Sequence, residues 1–380
     1  VGKRMVGRDV FSEAVDRMVT VYAAGHRVVV SFSAGKDSGV CLELCLIAAA
    51  KTGRLPVEVV LRDEEIMYPG TYEYADRVAA RPDVELHWLV AHQPVINAFN
   101  RMSPYFWVFD PKVSPETWVR PMSARTEVIP ELNIAAMANT RRFPPAPGKL
   151  LVHVIGLRAQ ESLKRTFGIH SSGGYMTKEE NGQAKCRPIY DWTDGDVWKA
   201  HADHGWDYNK AYDVMHRMGV PRHRLRIAPP TMSGAAIETL WLGQQAWPKW
   251  FDRVCTRLPG IRTAAMFGKR SVSPHRRSHE TWEECFNREC VVEAPADWIR
   301  ERAVKVRDIY LSMHAHHSTA PMPQVTHCKH CESGIGSWKN LASAMWSGDP
   351  FSLKAKMLDY VEPEFFRAGA GTWGGTPAWT

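Results

Sequence analysis

Apolar and polar positions follow a regular rhythm over the first ninety or so residues. After Asp9, a residue type that caps helices, Phe11, Ala14, Val15, Met18, Val19 and Tyr22 recur at helical spacing, and Gly25 ends the run. The valine-rich stretch 27–33 predicts a buried strand, and residues 34–38 a loop of small residues. The stretch 39–51 then predicts a helix closed by Thr52 and Gly53. A second strand is expected at 57–61, a helix at 71–81 stopped by Pro82, and a third strand at 84–90. Strand–helix–strand–helix–strand predicts an α/β fold with a doubly wound, mostly parallel sheet and right-handed crossovers.

The rhythm breaks between about 94 and 149, where Pro104, Tyr105, Phe106, Trp107, Phe109, Pro111 and Trp118 cluster. This stretch reads as an insertion or a lid over the sheet edge. The stretch 150–155 resumes as a strand, and from about 230 the apolar spacing turns helical. The expected division is therefore a sheet domain at 1–230 and a mainly helical region at 231–380.

Composition narrows the class. The chain has 380 residues, 44% hydrophobic and 23% charged, which is ordinary globular usage. No apolar run approaches the roughly 20 residues that span a bilayer, so no membrane association is expected. Near the amino terminus Arg8, Asp9, Glu13, Asp16 and Arg17 interleave with the apolar positions, unlike a signal-peptide core. A cytoplasmic location is the expectation. The net charge of +7 suits an anionic ligand.

Candidate chemistry concentrates in Ser31-Phe-Ser-Ala-Gly-Lys-Asp-Ser38. Small residues let backbone amides turn inward, and the following helix aims its N–H groups at the same point, which makes an anion site. Lys36 adds a point charge, while Ser33 and Ser38 add hydroxyls. The segment lacks the spacing of a Walker A loop. It resembles instead the loop of the PP-loop superfamily (N-type ATP pyrophosphatases, a HUP-like fold), and most closely that of the phosphoadenosine phosphosulfate (PAPS) reductase family. Ala34 stands where that family has its first glycine.

Three further segments carry the resemblance in the expected order. Leu61-Arg-Asp-Glu-Glu65 follows the second strand, where the family places an acidic segment beside the nucleotide. Gly156-Leu-Arg-Ala-Gln-Glu-Ser-Leu-Lys-Arg165 matches its Gly-x-Arg-x-x-Glu-Ser-x-x-Arg. Arg187-Pro-Ile-Tyr-Asp-Trp-Thr-Asp-Gly-Asp-Val-Trp198 matches its Pro-Ile-x-Asp-Trp signature, with Thr193 as a helix cap. The resemblance implies a nucleotide site made of Ser31, Ser33, Ala34, Gly35, Lys36, Asp37, Ser38, Asp63, Gly156, Arg158, Glu161 and Ser162. Lys36, Asp37, Arg158 and Arg165 are the expected catalytic residues, and ATP or PAPS with Mg²⁺ the expected ligand. Asp63 is assigned to Mg²⁺ or a ribose, and Glu161 to pinning Arg158 or Arg165.

The family's sulfonucleotide reductases attack sulfate with a cysteine on a C-terminal Glu-Cys-Gly-Ile/Leu-His segment, which this sequence lacks. The expected function is therefore cleavage of ATP to AMP and pyrophosphate, activating a substrate in sulfur transfer or nucleic-acid modification. The alternatives are a PAPS reductase and a nucleotide-binding regulatory subunit working with a protein partner. Cys285, Cys290, Cys328 and Cys331 pair as Cys-x₄-Cys and Cys-x₂-Cys, a spacing suited to Zn²⁺ and less to an iron–sulfur cluster. The basic run from Lys269 to Arg277, with Arg141 and Arg142, is the candidate nucleic-acid contact.

Overall fold

The computed structural model describes residues 7–130, 138–230, 237, 240–268, 272–328 and 335–355. The chain divides into two compact units, Val1–His92 with Met122–Ile227, and Gln93–Pro121 with Ala228–Thr380.

The first unit is built as its periodicities predict. Helix α1 (Val10–Ala23) starts where the Asp9 side chain accepts the Ser12 amide and buries Ala14, Val15, Met18, Val21 and Tyr22. Strand β1 (Arg27–Phe32) feeds helix α2 (Lys36–Thr52), which is buried on nearly all sides and ends at Gly53 in the left-handed conformation. Strand β2 (Val57–Arg62), helix α3 (Thr71–Ala79) and strand β3 (Val84–Ala91) follow.

Three more strands complete a six-stranded sheet: β6 (Thr126–Ile129), β7 (Leu151–Val154) and β8 (Gln183–Cys186). The order is β6-β3-β2-β1-β7-β8 and every pairing is parallel. Part of the stretch read as an insertion is thus a strand. Thr126–Ile129 pairs with Trp88–Ala91 of β3 because its extended backbone completes the ladder at that edge. One sheet face buries Val28, Val30, Phe32, Val152 and Val154 against α1 and α2. The other buries Val29, Val60, Leu89, Ile129 and Leu151 with Phe143.

The order of strands matters for function. From β1 the chain builds outward through β2 and β3, and later returns to lay β7 on the opposite side of β1. Open α/β sheets bind ligands at such a reversal, outside the carboxyl ends of the two strands.

The second unit contains an antiparallel hairpin of β4 (Pro94–Ile96) and β5 (Tyr105–Trp107), and several helices, the longest among the described residues being Asp297–His317. Phe286, Val306, Tyr310, Trp338, Leu341 and Met345 form its core. Buried Asp349 ties it together, accepting the amides of Leu353, Lys354 and Ala355 and the Tyr105 hydroxyl. Among the described residues, no helix is long and apolar enough to cross a membrane.

Candidate functional site

The loops after β1 and β7 meet at the reversal point. Ser38 closes the first loop from its own side chain. It accepts the Ser33 amide at 3.2 Å and donates to the Gly35 carbonyl at 3.0 Å. Ala34 takes φ 53°, the left-handed region a glycine would adopt freely, with its methyl buried. Its carbonyl accepts from Asn209, a fully buried residue that also donates to Thr71. The second loop comes close enough to require glycine. A Cβ on Gly156 would lie 2.9 Å from the Asp37 carbonyl carbon. Gly156→Ala is expected to cost about 1–3 kcal/mol by overpacking and to push the two loops apart. A melting curve and a nucleotide titration on the variant check both effects.

Charge is concentrated between these loops. Lys36 and Arg158 are 3% and 4% exposed. Lys36 Nζ donates to the Leu225 carbonyl at 3.1 Å and lies 3.3 Å from Asp37 and 3.4 Å from Asp194. Arg158 Nε donates to Asp37 at 2.5 Å, and its Nη2 lies 3.6 Å from Asp194. Glu161 pairs with Arg165 and sits 4.0 Å from Arg158. Arg222 reaches Asp194 at 3.8 Å. Burial and the neighbouring Arg226 and Arg158 guanidiniums hold the Arg165 pKa below its ordinary value. Cations outnumber carboxylates in this cluster, so an incoming anion meets a net positive field.

The helix N-terminus is tethered to the residues around it. The Lys36 amide donates to the Tyr212 hydroxyl at 3.1 Å, and the Lys36 carbonyl meets His201 Nε2 at 3.1 Å. Burial keeps the pKa of His201, and that of His153 on β7, below the ordinary histidine value of 6.5. The unfolded chain then binds more protons than the folded one just below that value. Stability is therefore full above about pH 6.5 and falls as pH drops through it toward the folded pKa values. Melting temperature is expected to be lower at roughly pH 5.5 than at 7.5, and less so in His201→Gln.

The remaining candidates divide. Ser33, Gly35, Asp37, Gly156, Glu161 and Arg165 belong to the cluster just described. Ser162 caps helix α4 (Leu163–Ser171), accepting the Arg165 amide. Ser31 lies within β1 and its side chain lines the sheet face beside β7. Asp63 is buried at the end of β2, where it accepts from the Glu65 amide at 2.9 Å and from Trp88 Nε1 at 2.8 Å. Those bonds fix the orientation of its carboxylate.

Asp194, Asn209 and Tyr212 are the residues that sequence reasoning missed. Asp194 begins helix α5 (Asp194–Asp203) beside the Thr193 cap, and an acidic residue there needs no further explanation. Its contact with Lys36 depends on the fold.

Of the candidate metal cysteines, Cys285, Cys290 and Cys328 form no group of three potential ligands among the described residues. Cys285 and Cys290 are buried in a short helix and the π-turn that follows it, with burial pushing their thiols up to about 11 and about 12. Cys328 is buried and Cys331 lies outside the described residues. Among the described residues, the group of three potential ligands that does occur is Glu58, Glu85 and His87 on β2 and β3. Glu58 already pairs with Arg27 at 2.5 Å. Of the basic run, Lys269 and Arg270 lie outside the described residues, Arg276 and Arg277 engage Glu280, and Arg142 pairs with Glu127.

A family model for the phosphoadenosine phosphosulfate reductase domain matches residues 27–219, which hold both loops and Asp194. The uncharacterized protein YbdN of Escherichia coli (strain K12) is 26% identical over 302 residues, covering 73% of this chain and 73% of that protein. Among solved structures, FMN adenylyltransferase of Candida glabrata in complex with ATP is similar at TM-score 0.34 and 13% identity. That match covers 53% of this chain and 57% of the enzyme, less than two thirds of its length. The PAPS reductase of Candida auris, in a phosphate complex, is similar at TM-score 0.31 and 14% identity, covering 56% of this chain and 94% of that one.

Proposed function

We propose a function from the premise that the chain belongs to the phosphoadenosine phosphosulfate reductase domain family. It binds an adenine nucleotide at the loop after β1 and cleaves ATP between the α and β phosphates. The adenylate so formed activates an acceptor in sulfur transfer or nucleic-acid modification. One observation carries this reading: buried Lys36 and Arg158 converge at the N-terminus of α2, where β1 and β7 end side by side.

In the reaction the acceptor's nucleophilic atom bonds to the α-phosphorus. The bond from that phosphorus to the bridging oxygen breaks, and its electron pair leaves with pyrophosphate. Rate then depends on stabilising the charge that gathers on the leaving group. Lys36 and Arg158 supply this by exchanging Asp37, Asp194 and the Leu225 carbonyl for phosphate oxygens. Arg165 and Arg222, at the rim, hold the acceptor or the outer phosphates. Mg²⁺ takes one or two carboxylates together with substrate phosphates, and when bound it neutralises leaving-group charge. Asp37 and Asp194 are the carboxylates at hand for it.

Sulfate reduction has less support. Within the first unit, Cys41, Cys45 and Cys186 are buried, and desolvation pushes all three thiols up, Cys186 to about 12. Such thiols are poor nucleophiles. The test is incubation with ATP and, separately, with PAPS, followed by mass spectrometry of the products. AMP and pyrophosphate from ATP are expected. Sulfite from PAPS in the presence of thioredoxin would instead establish a reductase.

A further inference from the structure

On the second face of the sheet the side chains change character along the strands. Val29 of β1 and Leu151 of β7 join the apolar cluster. Two residues further on, the same alternation presents Ser31 and His153, and β8 adds Gln183 and Lys185. His153 Nε2 and Gln183 Oε1 lie 2.9 Å apart. A doubly wound sheet covers both faces with apolar packing. Here the polar row instead opens onto a cavity of about 1310 Å³.

Arg187 stands just beyond β8 on this wall and is 4% exposed. Its Nη1 donates to Ser172 Oγ at 2.9 Å and its Nη2 to the Ser172 carbonyl at 3.4 Å. Nε is buried without a hydrogen-bond partner, and among the described residues no carboxylate is paired with the guanidinium, whose titratable neighbour is Cys186. Glu180 is the acidic residue among the described lining, and it is exposed and hydrogen-bonds through its backbone to Gln183. A buried guanidinium with no counter-charge is costly unless something anionic completes it. The ligand that does so presents two oxygens to the Nε edge, the bidentate geometry of a carboxylate, sulfate or phosphate group.

We propose that the Arg187 side of this cavity, whose lining also includes Ser162 and Arg165 of the first site, is a second anion subsite, in which Arg187 holds the oxyanion group of a small acceptor molecule and the His153–Gln183 pair meets a polar group on its body. Calling the occupant an acceptor rests on the adenylation reading; the anion site itself does not.

The test is equilibrium dialysis of the full chain against radiolabelled sulfate, repeated with acetate as competitor to separate a carboxylate preference from a sulfate one. Wild type is expected to bind at two sites, and Arg187→Lys to lose about tenfold or more in affinity at one of them. Lys36→Ala should lose the other. Binding by Arg187→Lys equal to wild type would overturn the proposal. Should that variant fail to fold, wild-type crystals soaked in selenate decide the matter: an anomalous peak within hydrogen-bond distance of Arg187 Nε supports the site, and a peak confined to the phosphate loop overturns it. Sulfate retained at Arg187 with no pyrophosphate formed from ATP would sink the adenylation reading alone.

Discussion

Replacing Lys36 with alanine is expected to abolish pyrophosphate release from ATP, a loss of roughly 10²–10³-fold or more. The ammonium is buried at the first residue of α2, and among the described residues no other lysine pairs with Asp37 or Asp194. Its removal should leave the fold largely intact. Arg158 still bridges the two carboxylates, and Arg222 still faces Asp194. A continuous pyrophosphate assay beside a melting curve separates the two effects. Undiminished turnover in a folded variant would reject the assignment of Lys36.

Arg158→Ala is expected to fail in a different way, losing both stability and activity. The guanidinium is 5% exposed in its side chain and joins Asp37 to Asp194, themselves 21% and 23% exposed. Breaking a buried ion pair from one side costs about 3–5 kcal/mol. The partial exposure of the carboxylates places this case near the lower end. A loss of about 3 kcal/mol corresponds to a fall of roughly 6–12 °C in melting temperature for a unit of this size. Arg158→Lys should recover part of the stability and little of the activity, because an ammonium restores the charge but not the planar fork. Differential scanning calorimetry and the pyrophosphate assay on both variants check this pattern.

The half of the chain with strong local signals was legible in its sequence. Asp9, the valines of β1 and Gly53 state their roles within a few residues, and the structure begins and ends α1 and α2 near where those signals stand. The edge strands were not legible. Gln-Ala-Lys-Cys of β8 has no β-branched residue and is a strand because β7 offers it a ladder. Thr-Glu-Val-Ile of β6 sits in a stretch rich in proline and aromatics, and its partner lies some forty residues back in β3. The site divides in the same way. The phosphate loop and Gly156–Arg165 announce themselves as motifs, and their meeting follows from strand order. Asp194 satisfies a helix terminus so well that its second role shows only in three dimensions. Asn209 and Tyr212 carry no local signal, since their tasks are to hold the carbonyl of Ala34 and the amide of Lys36.

The central claim is that the turn from Ser33 to Ser38 receives the polyphosphate of an adenine nucleotide. Isothermal titration of ATP into wild type and Lys36→Ala tests it most directly. The account predicts saturable binding near one nucleotide per chain in wild type, weakened by at least about tenfold in the variant. Equal affinity in the two proteins, or no heat of binding in wild type, would contradict it.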